Sequence, residues 1–214
     1  MKKRIWLIAS VAAGCVMLCT SCLDIPRQPQ VITNKIGIKK VELPSDLIAK
    51  ISVSEFPDLN GRLFDDDFCK SVFGTVFLAH TEMVSLSDGP RHLAFSTWGN
   101  FIVVKGAYSR QKIVKKLYPK GRVWGVLSFV VKFGADEYWA IAVHQRRNAS
   151  ALFILDKQLN VVYEEHDFLH CFEAGKVNDE LHGEGIVLKI GNFHPYNVKG
   201  NEKYYMYYLP GKDR

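Results

Sequence analysis

Residues 124–165, WGVLSFVVKFGADEYWAIAVHQRRNASALFILDKQLNVVYEE, decide the fold class of this 214-residue chain. Short runs rich in Val, Ile, Phe, Tyr and Trp alternate with turn residues, which is typical of antiparallel strands joined by tight hairpins. The pattern predicts four strands: Val123–Phe133, Tyr138–His144, Ala151–Leu155 and Val161–Glu165. Four strands in about 40 residues match the size of one propeller blade.

The first of these strands is apolar on both faces. Alternation puts Val126 and Val130 on one face and Leu127, Phe129, Val131 and Phe133 on the other. Such a strand needs cover on both sides, as stacked blades or a sandwich provide. The hairpin of Ala151–Asp156 and Val161–Glu164 resembles the outer hairpin of many propeller blades. We therefore predict an all-β fold of antiparallel meanders, propeller-blade-like or a β-sandwich, with few short helical turns.

Runs of the same type continue on either side of this stretch. They predict further strands at Lys35–Glu42, Leu47–Val53, Val72–Leu78, His92–Thr97, Phe101–Lys105, Ile113–Tyr118, Gly185–Ile190 and Lys203–Leu209. Two segments, Phe64–Ser71 and Phe168–Val177, have a pattern compatible with a short helical turn. We expect a single all-β domain over residues 35–214, a length sufficient for a proper core.

The N-terminus has the layout of a secretory signal peptide. Three basic residues, 2–4, precede an uncharged and mostly apolar run, Ile5–Leu18. This run is shorter than the roughly 20 residues that a membrane span needs. Its end resembles a bacterial lipobox, in which small or aliphatic residues precede a cysteine. Two cysteines fit: Cys22 after LCTS and Cys15 after VAAG.

Cys22 is the preferred anchor, although VAAG before Cys15 is the better local match. Cleavage at Cys22 leaves a polar, proline-containing start, whereas cleavage at Cys15 leaves three apolar residues, 16–18, on the mature protein. We predict a signal peptide at 1–21 and a lipidated tether at 22–34. The resemblance implies diacylglycerol and palmitate-type acylation of the cysteine, with about 0.8 kcal/mol of membrane affinity for each buried methylene. In a Gram-negative cell, Leu23 in place of aspartate favours the outer membrane, facing the periplasm.

Charge and cysteine content limit the partners. Without the three basic residues of the leader, 25 basic residues stand against 22 acidic ones, so nucleic acid is not an expected partner. A basic cluster at Arg110–Arg122 is a solvated surface or, alternatively, a contact for phosphate or anionic lipid.

Outside the leader, Cys69 and Cys171 remain. In an oxidising compartment they predict one disulfide, the alternative being two buried, unpaired thiols.

Several residues suggest chemistry. His166 and His170 are four residues apart, so a helical turn would place both on one face and could hold Zn²⁺, with His182 or Glu184 as a further ligand. The segment lacks the glutamate that metalloproteases carry beside the first histidine. The alternative is that these are surface or capping histidines. No cofactor other than Zn²⁺ is expected. His144 and Ser150 flank a predicted hairpin, where we expect cross-strand neighbours and not a nucleophile with its base.

No catalytic arrangement stands out, which favours a non-enzymatic role. The favoured function is a membrane-anchored periplasmic lipoprotein that acts as a binding or scaffolding module of the cell envelope, with a protein partner. One alternative is a periplasmic immunity or inhibitor lipoprotein against a secreted toxin. The other is a metal-binding enzyme that uses the C-terminal histidines.

Overall fold

A computed structural model describes residues 29–48, 51–55, 79–96, 101–105, 113–117, 123–145, 149–167, 169–180, 182–191 and 202–211. These residues are nearly all in antiparallel strands, which confirms the predicted all-β class. The strands are β1 (Gln30–Asn34), β2 (Lys39–Glu42), β3 (Ser52–Glu55), β4 (Ala79–Leu86), β5 (Gly89–Ser96), β6 (Phe101–Lys105), β7 (Ile113–Leu117), β8 (Val123–Phe133), β9 (Asp136–Gln145), β10 (Ala149–Leu155), β11 (Val161–Asp167), β12 (His170–Asp179), β13 (Gly183–Gly191) and β14 (Lys203–Tyr208). One helical turn, α1 (Ser45–Ile48), precedes β3.

The strands form three sheets. Sheet A has the order β1-β11-β10-β9-β8, so the predicted four-strand meander is intact and gains one strand from the N-terminal side. Sheet B has the order β2-β14-β13-β12-β3, and sheet C is the sequential meander β4-β5-β6-β7. Sheets A and B therefore each combine a C-terminal meander with strands from residues 30–55, which ties distant parts of the chain together.

Sheet A lies in the middle of the stack. One of its faces packs on sheet B, through a buried core that includes Ala142, Leu152 and Ile186. Its other face packs on sheet C through a second buried core that includes Leu93 of sheet C and Trp139 of sheet A. The two-sided apolar pattern of β8 thus has cover on both sides, as its sequence predicted. The arrangement of A and B is a β-sandwich with a third layer on the far side of A.

Polar contacts fix sheet C against sheet A. Arg91 of β5 is fully buried and donates to the carbonyl oxygen of Lys157 at 2.8 Å and to Asp88 Oδ1 at 2.6 Å. The turn that holds Lys157 also contains Leu159, a non-glycine residue with a φ of 66°. This unfavourable backbone geometry is offset by burial, because the Leu159 side chain fills the core between A and C.

The outer face of sheet B is covered by the segment around α1. Leu43 packs with Val187 and Met206 in a third, smaller core, against which Leu47 and Ile51 are partly buried. Strand β14 carries the tyrosine-rich run and is packed on both faces, with Tyr207 in the core between A and B and Met206 in this outer core. Within the described residues, no helix is long and apolar enough to span a bilayer.

Several local predictions are corrected by the structure. Phe168–Val177 is not helical, since β12 pairs there with β13 on one side and β3 on the other, and this long-range pairing overrides weak local preferences. Part of the predicted strand Leu47–Val53 belongs to α1. Part of the predicted tether is strand β1, which pairs with β11. Other predictions lie outside the described residues: the signal peptide, the anchor Cys22, the helical turn at Phe64–Ser71 and the strand Val72–Leu78.

Candidate functional site

The structure does not bring the three predicted metal-ligating histidines together. His166 lies in β11, where its Nε2 is 2.8 Å from Glu164 Oε1. His170 starts β12 opposite Gly191, and His182 lies in the turn at the far end of the same hairpin, about 30 Å away at the rise of a strand. The helical turn that motivated the site is absent, and the described residues contain no group of three His, Cys, Asp or Glu that could hold a metal ion.

The predicted disulfide is not seen. Cys171 is a free, fully buried thiol whose Sγ lies 3.4 Å from the carbonyl oxygen of Glu173. Burial raises the pKa of the Cys171 thiol well above its ordinary value, so it is protonated and unreactive at neutral pH. Cys69 lies outside the described residues.

His144 and Ser150 are cross-strand neighbours, as predicted. On the other side, Ser150 lies opposite Asp167, so the serine stands between the histidine and the carboxylate. In a hydrolase triad the histidine occupies the middle position, and Ser150 here is only 2% exposed. Burial lowers the pKa of His144 from 6.5, which favours its neutral form. The order and burial of these residues do not suit nucleophilic catalysis.

A buried ion cluster joins sheets A and B. Lys40 Nζ of β2 lies 2.6 Å from Glu165 Oε1 and 3.4 Å from Asp167 Oδ2, both on β11. Tyr163 and Tyr207 donate hydroxyl hydrogen bonds to Glu165, the latter at 3.1 Å. The two carboxylates are almost completely buried, whereas Lys40 is 21% exposed.

Opposing interactions within this cluster act on the pKa of Asp167. Burial raises the pKa of Asp167, and the neighbouring Glu165 charge adds to that shift, whereas Lys40 and the backbone N–H of Leu169 oppose it. Lys40 also lies 4.6 Å above the Tyr205 ring, a cation–π contact within the same cluster. Because all these groups satisfy one another, the cluster serves to hold two sheets in place and offers no free ligand for a substrate or metal.

An open cavity of about 270 Å³ lies on the outer face of sheet B, and we call it the sheet B cavity. Its apolar lining comes from the segment around α1 and from Val177 of β12, and its polar lining comes from the last two residues of β12 and the residue after them. The lining residues are Leu43, Leu47, Ile51, Val177, Asn178, Asp179 and Glu180. This site joins Leu43, Leu47 and Ile51 to residues 177–180, so no local sequence pattern identifies it.

One wall of the sheet B cavity is fixed by a side-chain contact between His182 and Asp179. His182 Nδ1 contacts Asp179 Oδ2, and Asp179 also accepts from the backbone N–H of His182 at 3.2 Å. The His182 ring packs edge-on against Tyr208, with ring centroids 4.4 Å apart. The pairing holds Asp179 in position and leaves Glu180 exposed at the rim. Chemically, the cavity combines an apolar floor with a negatively charged edge.

Comparison with known proteins identifies no relative: no protein-family model, curated protein or solved structure matches this chain. Of the basic cluster at Arg110–Arg122, the structure describes only part, including Lys115 and Lys116 in β7. The sheet B cavity is the candidate functional site among the described residues.

Proposed function

We propose that this chain is a membrane-anchored periplasmic lipoprotein that acts as a binding or scaffolding module of the cell envelope. The observation that carries the binding role is the sheet B cavity, which is open, has an apolar floor and is rimmed by carboxylates. Apolar concave sites with a few placed polar groups are the usual form of binding sites. The occupant is a protein partner that presents a side chain to this cavity.

The anchoring role rests on the lipobox-like end of the leader. With the lipid on Cys22, residues 23–29 precede β1, and seven extended residues reach at most about 25 Å. Such a tether keeps the folded body close to the membrane. A module held there meets partners in the same envelope layer, since tethering raises their effective concentration.

Site-specific photo-crosslinking tests the binding role in the full, membrane-anchored chain. A benzophenone amino acid in place of Asn178, an exposed residue of the cavity lining, is expected to give one discrete adduct with an envelope protein. The matched control is Met83 on sheet C, which is 63% exposed and lies on the other outer layer of the stack.

The pattern of adducts decides the outcome. We expect the Asn178 adduct to disappear when Val177→Phe fills the sheet B cavity, and no equivalent adduct to form from Met83. Equal adducts from both positions, an adduct that survives Val177→Phe, or none from Asn178 would contradict the proposed site.

A further inference from the structure

We infer that the sheet B cavity binds the side chain of a lysine on the partner protein, an inference that rests on the proposed binding function. A lysine side chain has a flexible apolar stem and a compact cationic head. The cavity is complementary to both parts of this side chain: its apolar floor suits the stem, and the carboxylates at its opening suit the cationic head.

The floor of the cavity suits the lysine stem. Leu43 is buried at the base, and Leu47, Ile51 and Val177 are partly buried around it. Leu43, Leu47 and Ile51 come from the segment that packs on sheet B, and Val177 comes from β12 of the sheet itself. The floor is therefore held by the outer core and exists before a ligand arrives. A chain of methylenes laid across it would leave water on binding, which favours association.

The rim of the cavity supplies charge complementarity. Glu180 is exposed, and among the described residues it has no ion-pair partner. No basic residue is among the described residues of the lining, and Lys176 lies on the opposite face of β12 from Val177, because side chains alternate along a strand. In the described part of the chain, a cation entering the cavity therefore meets negative charge and no lysine or arginine of the lining.

The rim and the floor together favour lysine over arginine. Asp179 is already engaged by His182, both through its ring and through its backbone N–H. This leaves Glu180 as the one carboxylate of the lining without an internal partner in the described structure. One carboxylate can hold either an ammonium group or a bidentate guanidinium, so the floor decides between them: the four-methylene stem of lysine covers more of it than the three-methylene stem of arginine.

Ligand-observed NMR titration with n-butylammonium, the side-chain analogue of lysine, tests this inference on the full lipidated chain in nanodiscs. Binding is expected to be at least about fivefold tighter than that of 1-butanol and to weaken in high salt, because screening reduces attraction between exposed charges. Glu180→Gln is expected to weaken butylammonium binding about two- to fivefold. Glu55→Gln, an exposed change on β3 outside the cavity lining, is the matched control and is expected to have no effect.

Each result bears on the inference separately from the proposed function. Equal affinity for butylammonium and 1-butanol, or no binding of either, would overturn the lysine assignment. So would an unchanged affinity in Glu180→Gln. None of these outcomes alters the crosslinking pattern expected from Asn178. The expected crosslink together with a failed butylammonium titration would therefore show that a partner docks at the cavity through a side chain other than lysine.

Discussion

Lys40→Met is expected to lower the free energy of unfolding by about 3–5 kcal/mol, the range for breaking a buried ion pair by removing one partner. Methionine keeps most of the stem but removes the cation that lies 2.6 Å from Glu165. Glu165 and Asp167 would then remain as two nearly buried carboxylates without a counter-charge. Urea denaturation of wild type and variant at neutral pH measures the difference.

The loss in Lys40→Met is expected to depend on pH in a defined direction. Burial already raises the pKa of Asp167, and removing Lys40 takes away an interaction that lowers it. A carboxyl group with a raised folded-state pKa costs stability when it is ionised, so the cost is present at neutral pH and shrinks as the pH falls through that pKa. A loss that grew with acidification would contradict this account.

Lys203→Met is the matched control for Lys40→Met. It removes the same group from an ion pair with Glu42 at 2.8 Å, but both side chains of that pair are about half exposed. Exposed ion pairs contribute little because water and salt screen them. We expect a much smaller change than in Lys40→Met, and equal losses in the two variants would mean that the buried cluster does not join the sheets as described.

Trp139→Ala is expected to destabilise the protein by about 3–5 kcal/mol, the usual range for truncating a fully buried aromatic side chain. Trp139 lies in the core between sheets A and C and is completely buried. Trp124→Ala makes the same chemical change at a side chain that is 42% exposed, so its effect should be a small fraction of that loss. Denaturation followed by far-ultraviolet circular dichroism measures both.

The pair of tryptophan variants also tests the three-layer arrangement. Trp139 is buried because sheet C covers that face of sheet A, with Leu86 and Leu93 in the same cluster. If sheet C did not dock there, Trp139 would be exposed and its truncation would cost no more than that of Trp124. Similar losses in the two variants would therefore contradict the stack.

The central part of the fold was predictable because its signals are local. Strands β8 to β11 follow one another through short turns, and their apolar alternation is evident in residues 124–165. Strands β1, β4 and β12 were not predicted. The five residues of β1 form a strand only through pairing with β11, more than 120 residues later, and β4 has a weak apolar pattern, AHTEMVSL.

Neither the buried ion cluster nor the candidate site was predictable from the sequence, because each joins residues that are far apart along the chain. Lys40 and Glu165 are 125 residues apart, and no spacing rule links them. The sheet B cavity likewise forms where Leu43, Leu47 and Ile51 meet residues 177–180. The four-residue spacing of His166 and His170 would place both side chains on one face of a helix. The two residues instead belong to consecutive strands in different sheets, so the spacing does not bring their side chains together.

The proposed function depends most on the lipid anchor at Cys22. Metabolic labelling with palmitate, followed by detection on the isolated protein, tests it directly in three chains: wild type, Cys22→Ala and Cys15→Ala. We predict that wild type and Cys15→Ala take up label and that Cys22→Ala does not. Label retained in Cys22→Ala, or absent from wild type, would contradict the claim that this protein acts from a membrane surface through Cys22.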